Sequence, residues 1–338
     1  MAIQRVLVTG ANGFLGESVC RKFCLEGWET YGLVRSADKA AGLLENEIIP
    51  LVGAPGDLGF LEQIKDVEFD AIISTTEDMI RYEAHFTDII ALVISVSAAA
   101  NRAGKKPLLL FTTGAKDTGP SGLVSSKNFV VTDELTIPHN ALPMHVIRHN
   151  TIQKAFDHAT NFHAILVRPT LIYGRSASWY GTILHQAATG DQIVLYGSED
   201  VVYHGVHVDD VAEAYFLLAT KVGSRGHGEL YNIANDEYET LGAIAEAVSK
   251  EYGGQHTITF KPVESGKLYQ EITGFSHAMS AEKLKRAAGW KQKKPGFIEG
   301  LKVYSASYNE LVKKGDARAL RIIEYQRMAD VKTEDLPL

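Results

Sequence analysis

The chain has 338 residues, of which 45% are apolar and 22% charged, a composition ordinary for a globular protein and unlike that of a disordered one. Its formal net charge of -7 is spread along the sequence without a basic stripe, which argues against nucleic acid and anionic membrane surfaces as partners. A small-molecule substrate remains the expected partner. Met1 runs directly into an apolar strand, so no signal peptide is expected, and no apolar run approaches the roughly 20 residues that span a bilayer. The sequence therefore predicts a cytoplasmic protein without a membrane segment.

The first stretch with a clear pattern is the eleven-residue run from Val6 to Gly16, which predicts a strand, a tight turn and a helix. Gly10 allows a sharp turn, Gly13 lets the backbone approach a pyrophosphate, and Gly16 lets the helix pack closely on its strand. The context between a β-branched strand and an amphipathic helix favours a dinucleotide cradle over an accidental glycine-rich turn. The expected cofactor-binding residues of this run are Gly10, Asn12, Gly13, Phe14, Leu15 and Gly16.

The end of the second strand, Thr30 to Val34, predicts which cofactor is bound. In a βαβ unit of this type, an acidic residue about 20 positions beyond the glycines usually holds the adenosine ribose and selects against a 2′-phosphate. This strand ends instead in Arg35 and Ser36, with Lys39 a turn later. A guanidinium matches a phosphate in charge and geometry, so the sequence favours NADP(H) over NAD(H). The alternative is a solvated arginine at a strand end.

Strands and helices continue to alternate up to about residue 175. Further strands are expected at Ile48 to Val52, Ala71 to Thr75, Leu108 to Thr113 and Ala164 to Val167, with helices at about Leu58 to Lys65, through Asp88 to Ala103, and Pro143 to Ala159. This alternation predicts an α/β fold with a doubly wound parallel Rossmann sheet, whose ligands gather at the carboxyl ends of the strands. Asp57 either caps its helix or also reaches the adenine edge. The cofactor residues expected at this edge are Asp57, Leu58, Thr75, Thr76 and Pro169.

The remaining chain predicts a smaller, mostly helical lobe. Residues 1–175 are expected to form the nucleotide-binding domain, to which 205–235 return, whereas 176–204 and 236–338 form a substrate-binding lobe that closes a cleft. A loop from Ala115 to Pro138 is long enough to favour a functional role. Asp209 and Asp210 are expected to cap a helix that runs through Leu218. The other expected elements are helices at Gly181 to Thr189, Thr240 to Tyr252, Ser280 to Ala288 and Phe297 to Lys313, and strands at Ile193 to Tyr196, Leu230 to Ile233 and Thr257 to Lys261.

Several short motifs together resemble the extended and atypical short-chain dehydrogenase/reductase superfamily, of the NAD-dependent epimerase/dehydratase type. The motifs are the glycine run to Gly16, Gly56-Asp57, Phe111 to Gly114, Arg168-Pro169 through Tyr173-Gly174, and Val206 to Asp210. The resemblance implies a Rossmann domain with a C-terminal substrate lobe, and enzymes that act on sugar nucleotides, carbonyls or secondary metabolites. A homodimer formed by packed helices is usual for such proteins. The resemblance does not by itself imply a reaction.

The chain departs from the superfamily at its catalytic positions. The usual reaction needs a Tyr with a Lys four residues later, which lowers its pKa, and a Ser or Thr after the fifth strand. None of the 14 tyrosines has a Lys at that position. In the best register, His145 replaces the Tyr, His149 replaces the Lys, and Gly114 takes the hydroxyl position, with Thr113 before it.

Imidazoles at His145 and His149 lie on one helical face and titrate near neutrality, so they could relay protons and hold the cofactor ribose. The alternative is two partly exposed histidines on a helix that has lost its catalytic pattern. The catalytic candidates are His145, His149, Thr113 and Tyr173.

The two cysteines, Cys20 and Cys24, lack a histidine partner, so packing is expected there rather than a metal site.

Aromatic and polar residues near the expected cleft are candidates for substrate contact. They follow the fourth and sixth strands or begin the smaller lobe, and they suit a flat, partly apolar substrate better than a sugar diphosphate. These candidates are Glu77, Tyr82, Arg175, Trp179, Tyr180 and His204.

Three functions follow: an NADP-dependent oxidoreductase of a small carbonyl or enone, a non-redox isomerase, cyclase or lyase, and a non-catalytic NADP(H) sensor. The complete glycine run and Arg35 favour the first, whereas the missing Tyr-Lys pair favours the other two.

Overall fold

A computed structural model of the chain describes residues 3–175 and 178–335. Its centre is a seven-stranded sheet with the strand order β11-β6-β5-β4-β1-β2-β3, in which every pairing is parallel. The strands of the chain are β1 Arg5–Thr9, β2 Glu29–Val34, β3 Ile49–Val52, β4 Ala71–Ser74, β5 Leu108–Thr112, β6 His163–Pro169, β7 Leu171–Tyr173, β8 Gln192–Tyr196, β9 Val202–Tyr203, β10 Gly205–His207, β11 Leu230–Ile233, β12 Glu239–Thr240 and β13 Thr257–Lys261. The predicted doubly wound Rossmann sheet is thus confirmed.

Helices cover both faces of this sheet and build the C-terminal part. They are α1 Phe14–Leu25, α2 Ala40–Leu44, α3 Tyr82–Arg102, α4 Pro143–Ile152, α5 Tyr180–Thr189, α6 Val208–Leu217, α7 Leu241–Glu251, α8 Leu268–Thr273, α9 Glu282–Ala288, α10 Leu301–Lys313 and α11 Ala317–Arg327. Because successive strand residues face opposite sides, Val6 and Val8 pack in one core with α1 and α6, whereas Leu7 packs in the other with α3. A third core joins α5, α7 and α10.

Several element boundaries differ from the sequence predictions. The segment expected as a helix from Leu58 is a 3-10 helix, Gly59–Ile64, and the helix expected to reach Ala159 changes to 3-10 geometry after Ile152. The expectation that Asp209 and Asp210 cap α6 is wrong. The cap residue is His207, whose Nδ1 accepts the Asp209 N–H at 3.1 Å. The carboxylate of Asp210 instead accepts the backbone N–H groups of the chain preceding α10.

The long loop after β5 begins with a 3-10 helix, Ala115–Thr118. The loop then runs beside residues 276–280 and forms backbone hydrogen bonds with them, including Ser121 N–H to Ser276 at 2.9 Å and Thr132 N–H to Ala278 at 2.9 Å. Both Ser121 and Thr132 are buried. The loop therefore joins the sheet edge to the C-terminal part of the chain.

Helix α3 corrects the prediction that no apolar run approaches membrane-spanning length. Among the described residues it is the one helix whose length and composition would allow it to cross a bilayer, and half of the qualifying window is buried. Ile89, Val93 and Val96 of this helix pack in the core beside β4 and β5. Helices that form the core of a globular protein meet the same criterion, so α3 carries no argument for a membrane.

Candidate functional site

The turn between β1 and α1 has the geometry of a phosphate cradle. Gly10 has a φ of +66°, and a Cβ added to Gly16 would lie 2.2 Å from the carbonyl oxygen of Gly10. The Gly13 N–H donates to that same oxygen at 2.8 Å. Asn12 is exposed, Phe14 and Gly13 are half-buried, and Leu15 and Gly16 are buried. Only glycine fits at positions 10 and 16, and the helix N-terminus that follows favours an anion, so these residues fit a dinucleotide pyrophosphate.

Two threonines after β4 form the wall beside this turn. Thr75 Oγ1 donates to the Thr9 carbonyl at 2.6 Å, and Thr76 Oγ1 lies 3.4 Å from Thr9 Oγ1. A side chain at Gly10 would meet Thr76 Cγ2 at 2.8 Å. Thr75 and Thr76 therefore lie against the cradle, at the carboxyl edge where the parallel sheet predicts ligands.

The end of β2 presents a small basic surface. Arg35, Ser36 and Lys39 are exposed there, and within the described ranges no carboxylate pairs with Arg35. Lys39 pairs with Asp38 at 3.0 Å. This arrangement leaves the Arg35 guanidinium available to an anionic ligand.

Asp57 and Leu58, two further expected cofactor residues, lie on the loop that follows β3. The Asp57 carboxylate accepts the Gly59 N–H at 3.1 Å, which corresponds to the capping alternative, although Asp57 remains exposed. Leu58 is half-buried beside it. Pro169 is buried at the end of β6, paired in register with Ile233.

Helix α4 directs its two histidine candidates to different surroundings. His145 is buried edge-on against Phe275, its Nδ1 has no partner among the described residues, and burial lowers its pKa to about 3. His149 is half-buried and bonds Gln153 Nε2 at 3.0 Å. It lines a cavity of about 420 Å³ on the side of α4 that faces Ile137 and Asn140. The two histidines predicted to share one helical face thus have separate contacts.

The residue between these histidines, Arg148, makes the strongest polar contacts of the region. Its guanidinium contacts Asp117 through Nε at 2.8 Å and Nη2 at 2.6 Å, and it contacts Glu77 through Nη1 at 2.5 Å. Asp117 also accepts the Thr113 hydroxyl at 2.5 Å. These four residues, the Arg148 network, run from buried Thr113 to Glu77, whose side chain is 42% exposed. Both partners raise the pKa of Arg148 against the lowering effect of burial, so its charge is fixed.

The Arg148 network explains the glycine at the superfamily's hydroxyl position. A Cβ on Gly114 would lie 2.4 Å from Arg148 Nη2 and 2.8 Å from Cζ. The guanidinium therefore occupies the space that a serine or threonine side chain would need. Sequence reasoning missed both Arg148 and Asp117 because it searched for replacements only at the register of the Tyr-Lys pair.

Two further buried cations lie near the network. Lys116 donates to the Ile272 carbonyl and lies 4.9 Å above the Phe275 ring, and burial lowers its pKa to about 7. Arg168 is 2% exposed, and two of its guanidinium nitrogens have no partner in the described residues. Burial is also the main cause that lowers the pKa of Arg168.

The remaining aromatic candidates are held in the core. Tyr173 is fully buried, and its hydroxyl donates to Pro295 at 2.7 Å and accepts from Asn235 at 2.9 Å. The Tyr180 hydroxyl donates to the Tyr203 carbonyl at 3.1 Å. Burial raises the pKa of Tyr173 and of Tyr180. Both hydroxyls thus donate to backbone carbonyls inside the protein.

The other expected substrate residues have defined contacts as well. His204 Nδ1 accepts the Met279 N–H at 3.1 Å, so this buried imidazole holds the backbone at Met279 in place. Arg175 binds Asp209 through two hydrogen bonds, and Trp179 stacks on Tyr325. Tyr82 is buried at the start of α3, and its hydroxyl lacks a partner in the part of the chain that the structure describes. Of the substrate candidates, Glu77 alone joins the Arg148 network.

Comparison with known proteins gives the same fold and motif order. The profile of the NAD dependent epimerase/dehydratase family matches residues 6–234. The chain belongs to this family. The match spans the seven-stranded sheet and the Arg148 network, and it ends directly after β11.

Among curated proteins, the chain is 26% identical over 252 residues to an uncharacterized protein of Schizosaccharomyces pombe, covering 73% of this chain and 80% of that one. It is 24% identical over 261 residues to the 2-alkyl-3-oxoalkanoate reductase of Shewanella oneidensis, covering 73% of this chain and 65% of that one. One of these two relatives is thus named as a reductase.

Solved structures of related proteins share the fold at low identity. The dTDP-glucose 4,6-dehydratase of Bacillus anthracis in complex with NAD has a TM-score of 0.71 at 18% identity, covering 91% of this chain and 97% of that chain. The UDP-glucose 4-epimerase of Thermotoga maritima with UDP-glucose has a TM-score of 0.71 at 18% identity, covering 91% and 100%. At such identity the likeness establishes the architecture and leaves the reaction open.

Proposed function

We propose that the protein is an NADP(H)-dependent oxidoreductase that reduces a small, partly apolar carbonyl or enone compound. The observation that carries the proposal is the basic end of β2. Arg35 is exposed beside the cradle without an ion-pair partner in the described ranges, at the position where an acidic residue would favour NAD(H). The guanidinium offers donors to a 2′-phosphate.

Reduction of a carbonyl needs a proton for the oxygen and stabilisation of the negative charge that develops on it. The Arg148 network can meet both needs. A nicotinamide cofactor held at the cradle would supply a hydride to the carbonyl carbon, and the carbonyl oxygen would then carry the negative charge until a proton reaches it. A fixed guanidinium beside that oxygen stabilises the charge, because Arg148 is buried and oriented by Asp117 and Glu77 before the substrate binds. Half-exposed Glu77 links the network to solvent water, which delivers the proton.

The relative from Shewanella oneidensis supports a reductase assignment, since its name describes the reduction of an oxo acid. The epimerase and dehydratase structures favour a second candidate, a non-redox isomerase or lyase that uses the same cleft.

A turnover assay separates these functions. Purified protein is mixed with NADPH deuterated at the nicotinamide C4 and a panel of aldehydes, enones and 3-oxo acids, and both NADPH absorbance and deuterium in the product are followed. The proposal expects NADPH loss together with deuterium transfer to carbon. Product formed without net NADPH loss supports the isomerase or lyase, and cofactor binding without any turnover supports a sensor. An Arg35→Ala variant should raise the KM for NADPH and leave kcat nearly unchanged, since Arg35 lies far from the Arg148 network in the sheet order.

A further inference from the structure

The C-terminal helix reaches the cofactor cradle through a single ion pair. Arg318, in the first turn of α11, contacts the carboxylate of Glu17 through Nη1. Glu17 lies in the first turn of α1, and its N–H donates to the carbonyl of Gly13 at 3.0 Å. The pair therefore joins residues 301 positions apart, directly beside the turn that cradles the pyrophosphate. Arg318 also lies outside the residues matched by the family profile.

A carboxylate at position 17 opposes anion binding at this turn. The free N–H groups and the positive end of the α1 dipole favour a phosphate there, but an unpaired negative charge one turn along repels it. Within the described ranges, Arg318 is the one cation that pairs with Glu17. Of the two neighbouring arginines, Arg175 contacts Asp209 at 2.7 Å, whereas Arg21 lies 3.9 Å from Asp209 and interacts with Glu17 only through space.

Arg318 is held in place by its own helix. Its Nε and Nη2 bond the Asp316 carboxylate at 3.2 and 2.9 Å, and Asp316 caps α11 by accepting the backbone N–H groups of Arg318 and Ala319. The helix is fixed in turn by the stacking of Tyr325 on Trp179, with ring centroids 5.7 Å apart. The guanidinium is thus positioned before any ligand arrives, so forming the contact with Glu17 costs little conformational entropy.

We propose that Arg318 is a positioning residue for the cofactor: it neutralises Glu17 and so permits tight binding of the dinucleotide pyrophosphate. The proposal rests on the proposed nicotinamide nucleotide site, but it does not depend on whether NADP(H) or NAD(H) is preferred. It assigns to α11 a role in cofactor affinity in addition to its packing on α5.

A set of four proteins tests the proposal by calorimetric titration with NADP+ and with NAD+. Arg318→Gln should weaken binding of whichever dinucleotide the parent binds by about tenfold, because Glu17 then loses its one ion-pair partner among the described residues. Glu17→Gln should leave affinity equal to or slightly above that of the parent. The double variant should return to within about threefold of the parent, since the repelling charge is gone.

Matched controls separate this electrostatic role from a structural one. Arg321→Gln removes another arginine of α11, one that contacts Tyr325 and has no contact with Glu17, so dinucleotide affinity should not change. Adenosine 2′-monophosphate lacks the pyrophosphate, and its affinity should be insensitive to Arg318→Gln. Thermal unfolding of each variant shows whether the fold is retained.

Two results would overturn the proposal: unchanged dinucleotide affinity in Arg318→Gln, or a loss that persists in the double variant, which would indicate damage to α11. Tighter binding of NAD+ than NADP+ by the parent would overturn the proposed cofactor preference. The NAD+ affinities of the same four proteins would then test the role of Arg318. Failure of the parent to bind either dinucleotide would overturn both.

Discussion

Replacing Gly114 by alanine tests whether the Arg148 network occupies the usual hydroxyl position. The added Cβ would lie 2.4 Å from Arg148 Nη2, much closer than van der Waals contact allows, so the guanidinium must move. It cannot move freely, because it is buried and contacts both Asp117 and Glu77. Breaking a buried ion pair costs about 3 to 5 kcal/mol. We therefore expect Gly114→Ala to lower the free energy of unfolding by about 3 kcal/mol, and to reduce turnover if the network stabilises the reacting oxygen.

The assay is urea unfolding followed by circular dichroism, with a double-mutant cycle. In an Arg148→Met background the alanine has room, so Gly114→Ala should then cost less than about 1 kcal/mol. Gly42→Ala is the matched control: Gly42 lies in helix α2 with nothing within 4 Å of an added Cβ, and alanine there should be neutral or slightly stabilising. Full stability of Gly114→Ala, or an equal loss in both backgrounds, would refute the reasoning.

Two further predictions concern the cradle and the buried histidines. Gly16→Ala should abolish dinucleotide binding by calorimetry, because its Cβ would lie 2.2 Å from the backbone oxygen of Gly10 and force the turn open; unchanged affinity would contradict this. Acid should destabilise the fold, because burial lowers the pKa of His145 to about 3, of His204 to about 4 and of His277 to about 3. These imidazoles stay neutral in the folded chain but protonate near pH 6.5 when unfolded, so their stabilising contribution is complete above pH 6.5 and declines as pH falls towards 4. At pH 5.5 each should cost about 1.4 kcal/mol of unfolding free energy, and a urea midpoint that does not change between pH 7 and 5.5 would contradict that sign.

The fold could be predicted from the sequence because its signals are local and periodic. The glycine run, the apolar strands and the capping positions each act within a few residues, so β11 and β13 were predicted at their observed bounds. Helix α11 was not identified, because it combines few apolar residues with many charges. The boundary of α4 also differed, since the change to 3-10 geometry after Ile152 leaves the apolar pattern intact.

The candidate site was less accessible to sequence reasoning than the fold. The cradle residues come from one continuous segment, whereas the Arg148 network joins residues that follow β4 and β5 to a residue of α4, up to 71 positions apart. Gly114 was the available signal. The buried guanidinium that fills the space beside it could be recognised only once Arg148 of α4 was placed against Gly114. The separate surroundings of His145 and His149 likewise depend on packing against Phe275 and the Ile137 loop.

The central claim is that the turn after β1 holds a phosphorylated nicotinamide dinucleotide selected by Arg35. Calorimetric titration of the unmodified protein and of Arg35→Ala with NADP+ and NAD+ tests it directly. The account predicts tighter binding of NADP+ by the unmodified protein, and a loss of that preference in Arg35→Ala with NAD+ affinity nearly unchanged. Tighter binding of NAD+ by the unmodified protein, or binding of neither nucleotide, would contradict it.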